Sequence, residues 1–131
     1  MSGAEPAATA GNGPAPRGRK LVAALSLQPE HEAVEDWQKV PGAPEATTAT
    51  VPLAAPDAFG ELSIGVWEMS AGSMRDEEAE EIFIVLAGSA RIEGEGWSLD
   101  VAAGDVVHLE AGAQTVWTVH SPLRKVYLIA P

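Results

Sequence analysis

The sequence predicts an all-β protein. From residue 62 onward, short apolar and β-branched segments follow one another at even spacing, and turn-forming residues separate most of them. No stretch in this half of the chain has the apolar spacing of a helix. Gly88, Gly104 and Gly112 fall between the segments, where turns need unusual backbone angles. The predicted strands are 62–69, 82–86, 90–93, 97–101, 106–109, 115–119 and 125–129.

Length and composition predict one domain with extensions. A chain of 131 residues with 46% hydrophobic residues is long enough to bury a single core of moderate size. Zero cysteines exclude disulfides, thiolate metal sites and a catalytic thiol. We predict a disordered N-terminal arm over 1–20, an extension with weak strand or helix elements over 21–56, and a barrel over 57–131.

The charge and hydropathy patterns favour some partners and disfavour others. A net charge of −11 with no basic stripe argues against nucleic-acid binding, because phosphates would be repelled. No apolar run approaches the ~20 residues of a membrane span, and the N-terminus does not have the pattern of a secretory signal. We therefore expect a cytoplasmic protein that binds neither nucleic acid nor membranes.

The first 56 residues carry weaker signals. Residues 2–16 are mostly Ala, Gly and Pro and cannot bury enough apolar surface to offset the entropy of ordering. A small basic cluster, Arg17, Arg19 and Lys20, follows and is interpreted as part of a solvated tail. Residues 21–27 predict a strand or a short helical turn, and 30–38 predict one or two helical turns. Residues 47–53 predict an edge strand, since Pro52 would interrupt a central ladder.

Strand alternation places several polar side chains beside apolar ones. Glu81 shares a strand face with Phe83 and Val85, and Lys125 shares one with Tyr127. Five carboxylates fall within the six residues 76–81 and form an acidic run. That acidic run is typical of a solvated loop, although oxygen ligands could also hold a hard cation such as Mg²⁺, Ca²⁺ or Mn²⁺.

A larger pattern resembles a known family. Its parts are Gly65-Val-Trp67-Glu68, Glu81 with six residues to Gly88, Gly104-Asp105, the Gly112 turn, Thr115-Val-Trp117 and Arg124-Lys125-Val-Tyr127. This framework resembles the cupin superfamily of small jelly-roll barrels. Within it, the chain is similar to the branch of (S)-ureidoglycine aminohydrolases and ethanolamine-utilisation cupins. The resemblance implies a cupin-type barrel over about residues 60–131 and a homodimer.

The resemblance does not extend to a metal-ligand set. Metal-binding cupins have a His-x-His pair before the motif glutamate and a third histidine in the second motif. Here those places fall on Met74 and Asp76, or on Arg75 and Glu77, and the third falls on Thr115. We therefore expect no His-ligated metal; a divalent metal held by carboxylates is the alternative.

The resemblance and the strand faces together suggest a pocket. Glu81, Lys125 and Tyr127 are the candidate catalytic residues, with Glu81 as general acid/base or as a carboxylate that orients the ligand. Trp67, Trp117 and His108 are the candidate ligand-binding residues. The structural alternatives are a strand-end carboxylate bonded to backbone or to Lys125, aromatic core packing, and a surface histidine.

Three functions are compatible with these residues. The first is a cupin domain of ureidoglycine aminohydrolase-like type that binds a small polar metabolite without a His-ligated metal. The alternative is a hydrolase, lyase or isomerase acting on a small ureido, amino or carboxylate compound through Glu81. A second alternative is a dimeric structural or interaction module.

Overall fold

The computed structural model describes residues 21–131, so the predicted arm over 1–20 and its basic cluster lie outside the described residues. The all-β prediction is confirmed for the rest, which contains eight strands and two short 3-10 turns, Asp36–Gln38 and Asp57–Phe59. The strands are β1 Glu32–Ala33, β2 Thr47–Leu53, β3 Ser63–Met69, β4 Gly72–Glu77, β5 Glu81–Gly94, β6 Trp97–Ala102, β7 Val106–Leu109 and β8 Gln114–Ile129.

Two long antiparallel strands, β5 and β8, organise the sheet. The order of hydrogen-bonded strands is β1-β2-β3-β8-β5-β6, with β4 added to β8 and β7 added to β5. The first half of β5 and the second half of β8 lie with β3 and β7, whereas their other halves lie with β4 and β6. One strand pair thus runs through both halves of the fold.

The long strands correct the predicted element boundaries. Residues 82–86 and 90–93 were expected as separate strands but belong to β5, and 115–119 and 125–129 both belong to β8. Turn-forming residues lie within them: Gly88 has φ of 86°, and the β5–β8 register shifts between Val85 and Ala90. These irregularities bend the strand pair without ending it, because a bulge accommodates an extra residue while pairing continues on either side.

Strand β4 corrects a second prediction. The acidic run over 76–81 was expected to be a solvated loop, but its first two residues end strand Gly72–Glu77, which pairs along β8 with Asp76 opposite Thr115. Charged residues are depleted in strands, so local propensity argued against this assignment. The pairing with β8 overrides it.

The extension over 21–56 also differs from expectation. Residues 21–27 form neither a strand nor a helix, and only Asp36–Gln38 of the predicted helical turns over 30–38 is helical. The predicted strand over 47–53 is confirmed as β2, and its partner β1 covers only two residues. The extension is held to the barrel by Arg124, which donates to the carbonyl of Ala24 at 2.8 Å and to Glu68 Oε2 at 2.7 Å.

Glu68 joins the extension to β8 through its charge. Burial acts to raise the pKa of Glu68, but hydrogen bonds from Arg124 and from His31 Nε2, at 2.6 Å, outweigh it and lower that pKa. His31 also bonds Thr47 Oγ1 at 2.8 Å. This network stabilises the ionised carboxylate and holds the segment around Ala24 and His31 against β2, β3 and β8.

One hydrophobic core lies between the two halves of the sheet. Its largest fully buried side chains are Trp117, Phe83, Met69, Met74, Ile92, Leu123, Val66 and Val85. The predicted alternation is confirmed in β5, where Glu81, Phe83 and Val85 face inward. No helix within residues 21–131 is long and apolar enough to cross a membrane.

Candidate functional site

A pocket of about 390 Å³ opens at one end of the core. Strands β2, β3, β5 and β8 and the segment from β4 to β5 contribute its walls. The lining residues are Thr50, Ser63, Trp67, Asp76, Glu77, Glu78, Ala79, Glu81, Trp117, Lys125, Tyr127 and Ile129. A concave site of this size, with aromatic walls and a few convergent polar groups, is typical of small-molecule binding.

A buried ion pair forms the centre of the pocket. Lys125 Nζ donates to Glu81 Oε2 at 2.7 Å, and each residue is only 5% exposed. Both side chains point to the inner face, and although Lys125 is paired with Val85, four positions along β5 from Glu81, its long side chain reaches the Glu81 carboxylate. Removing two charges from water is costly, so such a pair persists only where each charge compensates the other.

Aromatic rings surround the ammonium group of Lys125. Its Nζ lies 4.2 Å from the ring centroid of Phe83, 4.6 Å from that of Trp67 and 4.8 Å from that of Trp117. The electron-rich ring faces attract the cation and partly replace its lost hydration. Trp67 and Trp117 also pack edge to face, with centroids 5.5 Å apart. These rings hold Lys125 in one position.

Tyr127 closes the pocket next to β3. It shares the inner face of β8 with Lys125, as predicted, and burial followed by the charge of Glu81 raises the pKa of its hydroxyl. Its partner residue in β3 is Gly65, where an added Cβ would lie 2.3 Å from the Tyr127 hydroxyl oxygen. The glycine of the Gly-Val-Trp-Glu motif thus leaves room for this side chain.

Three carboxylates that the sequence interpretation assigned to a solvated loop line the pocket, namely Asp76, Glu77 and Glu78. Glu78 is buried, and its Oε2 accepts hydrogen bonds from Thr115 Oγ1 at 2.6 Å and from Trp117 Nε1 at 2.9 Å. Burial, followed by the charge of Glu78, raises the pKa of Asp76 to about 6. In the sequence, Asp76 and Glu78 follow Met74 at alternate positions, but no apolar residue beyond Met74 marks their side of the strand as the inner one.

The pocket therefore brings together five of the six predicted site residues. Glu81, Lys125, Tyr127, Trp67 and Trp117 all line it. His108 does not; it is exposed on β7, where its Nε2 bonds Glu80. That bond and the backbone N–H of Ala111 lower the pKa of Glu80. Val106 and His108 share the outward face of β7, whereas Val107 and Leu109 face the core.

The donor set does not fit a His-ligated metal. Inward-facing Met74 and Asp76, with Thr115 opposite, occupy the places where metal-binding cupins have histidines. The remaining motif glutamate, Glu81, is already bonded to an ammonium group. Within the described part of the chain, no group of three or more His, Cys, Asp or Glu could hold a metal ion.

Residues 57–127 match the family described as the EutQ-like cupin domain. The chain belongs to the EutQ-like cupin family. The predicted cupin-type barrel is thereby confirmed, and this EutQ-like cupin resembles several solved structures. Clostridium difficile EutQ is 21% identical with a TM-score of 0.58, and the match covers 66% of this chain and 64% of that one. This EutQ-like cupin thus spans less than two thirds of that EutQ chain.

Two further structures have the same fold. A cupin superfamily protein from Desulfitobacterium hafniense DCB-2 is 19% identical with a TM-score of 0.57, and the match covers 87% of this chain and 92% of that one. Ectoine synthase from P. lautus is 17% identical with a TM-score of 0.57, with 64% of each chain covered. No curated protein matches this chain. At these identities the likeness to solved structures shows the fold of the EutQ-like cupin alone.

The raised pKa of Asp76 gives a stability prediction. The pKa of about 6 in the folded protein lies above the ordinary pKa of 3.8 for an aspartate, so the folded protein binds this proton more tightly than the unfolded chain. The free energy of unfolding therefore falls as pH rises from about 4 to about 6, and above about pH 6 the buried charge of Asp76 has its full destabilising effect. We expect Asp76→Asn to raise the free energy of unfolding by about 1–3 kcal/mol at pH 8.

Urea unfolding at pH 4 and pH 8 measures this effect. The stabilisation by Asp76→Asn should be much smaller at pH 4, where the carboxyl is protonated in the folded protein. Glu77→Gln is the matched control, because Glu77 is an exposed neighbour in the same strand. Equal stabilisation by Asp76→Asn at the two pH values would show that the charge of Asp76 is not the cause.

Proposed function

We propose that this cupin domain binds a small polar metabolite in the pocket around Glu81 and Lys125, without a His-ligated metal. The observation that carries the proposal is the buried Lys125–Glu81 pair beneath three aromatic rings. It supplies a fixed donor and a fixed acceptor at the centre of a concave site. The ammonium group takes the place of a metal charge beside the motif glutamate. A cytoplasmic location stays a prediction.

A metabolite screen by thermal shift, followed by calorimetry, tests the proposal. At a concentration ~100-fold above Kd, a ligand that binds only the folded protein stabilises it by about 2.7 kcal/mol. We expect Ala79→Trp to weaken the binding of any such ligand at least tenfold, because Ala79 is exposed and lines the pocket, so that the larger side chain would occupy the space of the ligand. Ala103→Trp is the matched control, since Ala103 is exposed in a turn outside the pocket lining.

Two results would contradict the proposal. One is a ligand that binds Ala79→Trp and the native protein equally well. The other is a stoichiometric amount of Mn, Fe, Ni or Zn in the purified protein, measured by elemental analysis. The first would move binding outside the pocket, and the second would require metal ligands beyond those that the pocket offers.

A catalytic function is the alternative proposal. The pocket combines Glu81 with Lys125 and Tyr127, and Asp76 has a pKa of about 6, near the optimum for proton transfer at neutral pH. An enzyme of this kind, aminohydrolase-like or otherwise, would act on a small ureido, amino or carboxylate compound, with Glu81 transferring the proton. Unchanged turnover in Glu81→Gln would exclude that role.

A homodimer or interaction module is the second alternative. The outer sheet face exposes apolar side chains at Ile82, Ile84 and Val106, which are neighbours in the β5–β7 ladder. Contiguous exposed apolar surface often marks a protein–protein contact. Light scattering on the native protein and on Val106→Lys tests this proposal; a monomer at all concentrations would contradict it.

A further inference from the structure

We infer that the ligand of the pocket is a small organic cation with an ammonium group. This inference rests on the proposed function, because it names the chemical class for the same site. Its first support is the charge balance of the lining. Lys125 is the one cation among the lining residues and is paired with Glu81, which leaves Asp76, Glu77 and Glu78 without an ion-pair partner in the described chain. An anionic ligand would meet net repulsion there.

A buried acceptor without a donor is the second support. Glu78 is 6% exposed, and both donors that reach it, Thr115 Oγ1 and Trp117 Nε1, bond the same oxygen, Oε2. Its other oxygen, Oε1, accepts no hydrogen bond from any residue of the described chain. A buried carboxylate oxygen without a donor is costly, whereas a charge-assisted bond from an N–H group would remove that cost.

The aromatic walls of the pocket also favour a cation over an anion. Trp67 and Trp117 line the pocket and, together with Phe83 in the core, already attract one ammonium group, that of Lys125. Their ring faces carry partial negative charge, so they add to the potential of the carboxylates. The net charge of −11 also raises the concentration of cations near the protein.

An organic cation fits better than a metal ion. The carboxylates of Asp76, Glu78 and Glu81 all line the pocket, but within residues 21–131 they form no group that could converge on one ion. Divalent cations need several oxygen ligands at short distance from one centre. An ammonium group needs no such cage, because one charge-assisted hydrogen bond to a single carboxylate such as Glu78 can hold it, while the neighbouring carboxylates attract its charge over a longer distance.

Nuclear magnetic resonance titration of the full chain tests the inference. The test compounds are n-butylammonium and tetramethylammonium, with butyramide as the neutral match, butyrate as the anionic match, and MgCl₂ and MnCl₂ as metals, all at constant ionic strength. Because the Trp117 indole N–H bonds Glu78, its resonance reports directly on the site. We expect saturable shifts with n-butylammonium, and binding at least tenfold weaker for butyramide and butyrate.

Substitutions locate the response. We expect Glu78→Gln to weaken the binding of n-butylammonium at least tenfold. Asp76→Asn is the second variant if Glu78→Gln does not fold. Glu95→Gln is the matched control, because Glu95 is an exposed carboxylate outside the pocket lining. Equal weakening by Glu95→Gln would show a general charge effect and overturn the inference.

The outcomes separate this inference from the proposed function. Saturable binding of butyrate or of a metal ion in preference to n-butylammonium would overturn the cation class but leave a ligand-binding pocket. If no test compound or screened metabolite shifts the Trp117 resonance, the proposed function and the cation class both fail. Binding of n-butylammonium that depends on Glu78 supports both.

Discussion

Lys125→Met alone is expected to lower the free energy of unfolding by about 3–5 kcal/mol. The substitution leaves Glu81 as an uncompensated charge, 5% exposed and among apolar side chains. The double variant Glu81→Leu/Lys125→Met removes both charges and is expected to cost clearly less than the two single variants together, because no buried charge is left unpaired. Urea unfolding of the four proteins measures the coupling.

An exposed ion pair provides the control for this cycle. Arg91 Nη1 lies 3.4 Å from Asp100 Oδ1, and the two side chains are 45% and 75% exposed. Arg91→Met should therefore change the free energy of unfolding by no more than about 1 kcal/mol. If the effects of Glu81→Leu and Lys125→Met simply add, the two residues do not interact and the pocket is not organised around their pair.

Gly88→Ala is expected to lower the free energy of unfolding by about 3–4 kcal/mol. Gly88 has φ of 86°, and an added Cβ would lie 2.0 Å from the carbonyl oxygen of Pro122. Both the backbone strain and the clash with the opposite strand would act where β5 and β8 bend. Neither strand can move away without disturbing the ladders on both sides of the bulge.

Gly112→Ala separates the clash from the strain. Gly112 also has φ of 86°, but an added Cβ would meet nothing within 4 Å. This variant should cost only about 1–2 kcal/mol, the price of a left-handed conformation for alanine. Thermal or urea unfolding compares the two variants, and equal losses would mean that the contact with Pro122 relaxes freely.

Much of the fold follows from local patterns. Alternation of apolar and polar residues predicted which side chains share a face in β5 and in β8, and the glycines predicted the turns at 104 and 112. The same patterns could not show that β5 and β8 continue through their central turn residues. A bulge and a chain reversal use the same residue types, and only the pairing of distant strands distinguishes them.

The sequence predicted the residues of β5 and β8 in the site but not the carboxylates of β4 and the segment after it. Glu81, Lys125 and Tyr127 were found because they belong to the framework that resembles cupins, and strand alternation placed Glu81 beside apolar residues and Lys125 on the same face as Tyr127. Asp76 and Glu78 lie in a run of charges where no apolar periodicity is visible beyond Met74. Their inward direction comes from the register of β4 against β8, which is a long-range contact.

The sequence by itself determined that this chain is an all-β protein with a cupin framework and without the histidines of a metal site. Strand periodicity, turn residues and residue identity are local properties, so they can be read from the chain. Only the tertiary structure decided that Lys125 pairs with Glu81 under three aromatic rings, and that Glu78 and Asp76 join them. Burial, and with it the energy of a charge, depends on which distant strands pack together.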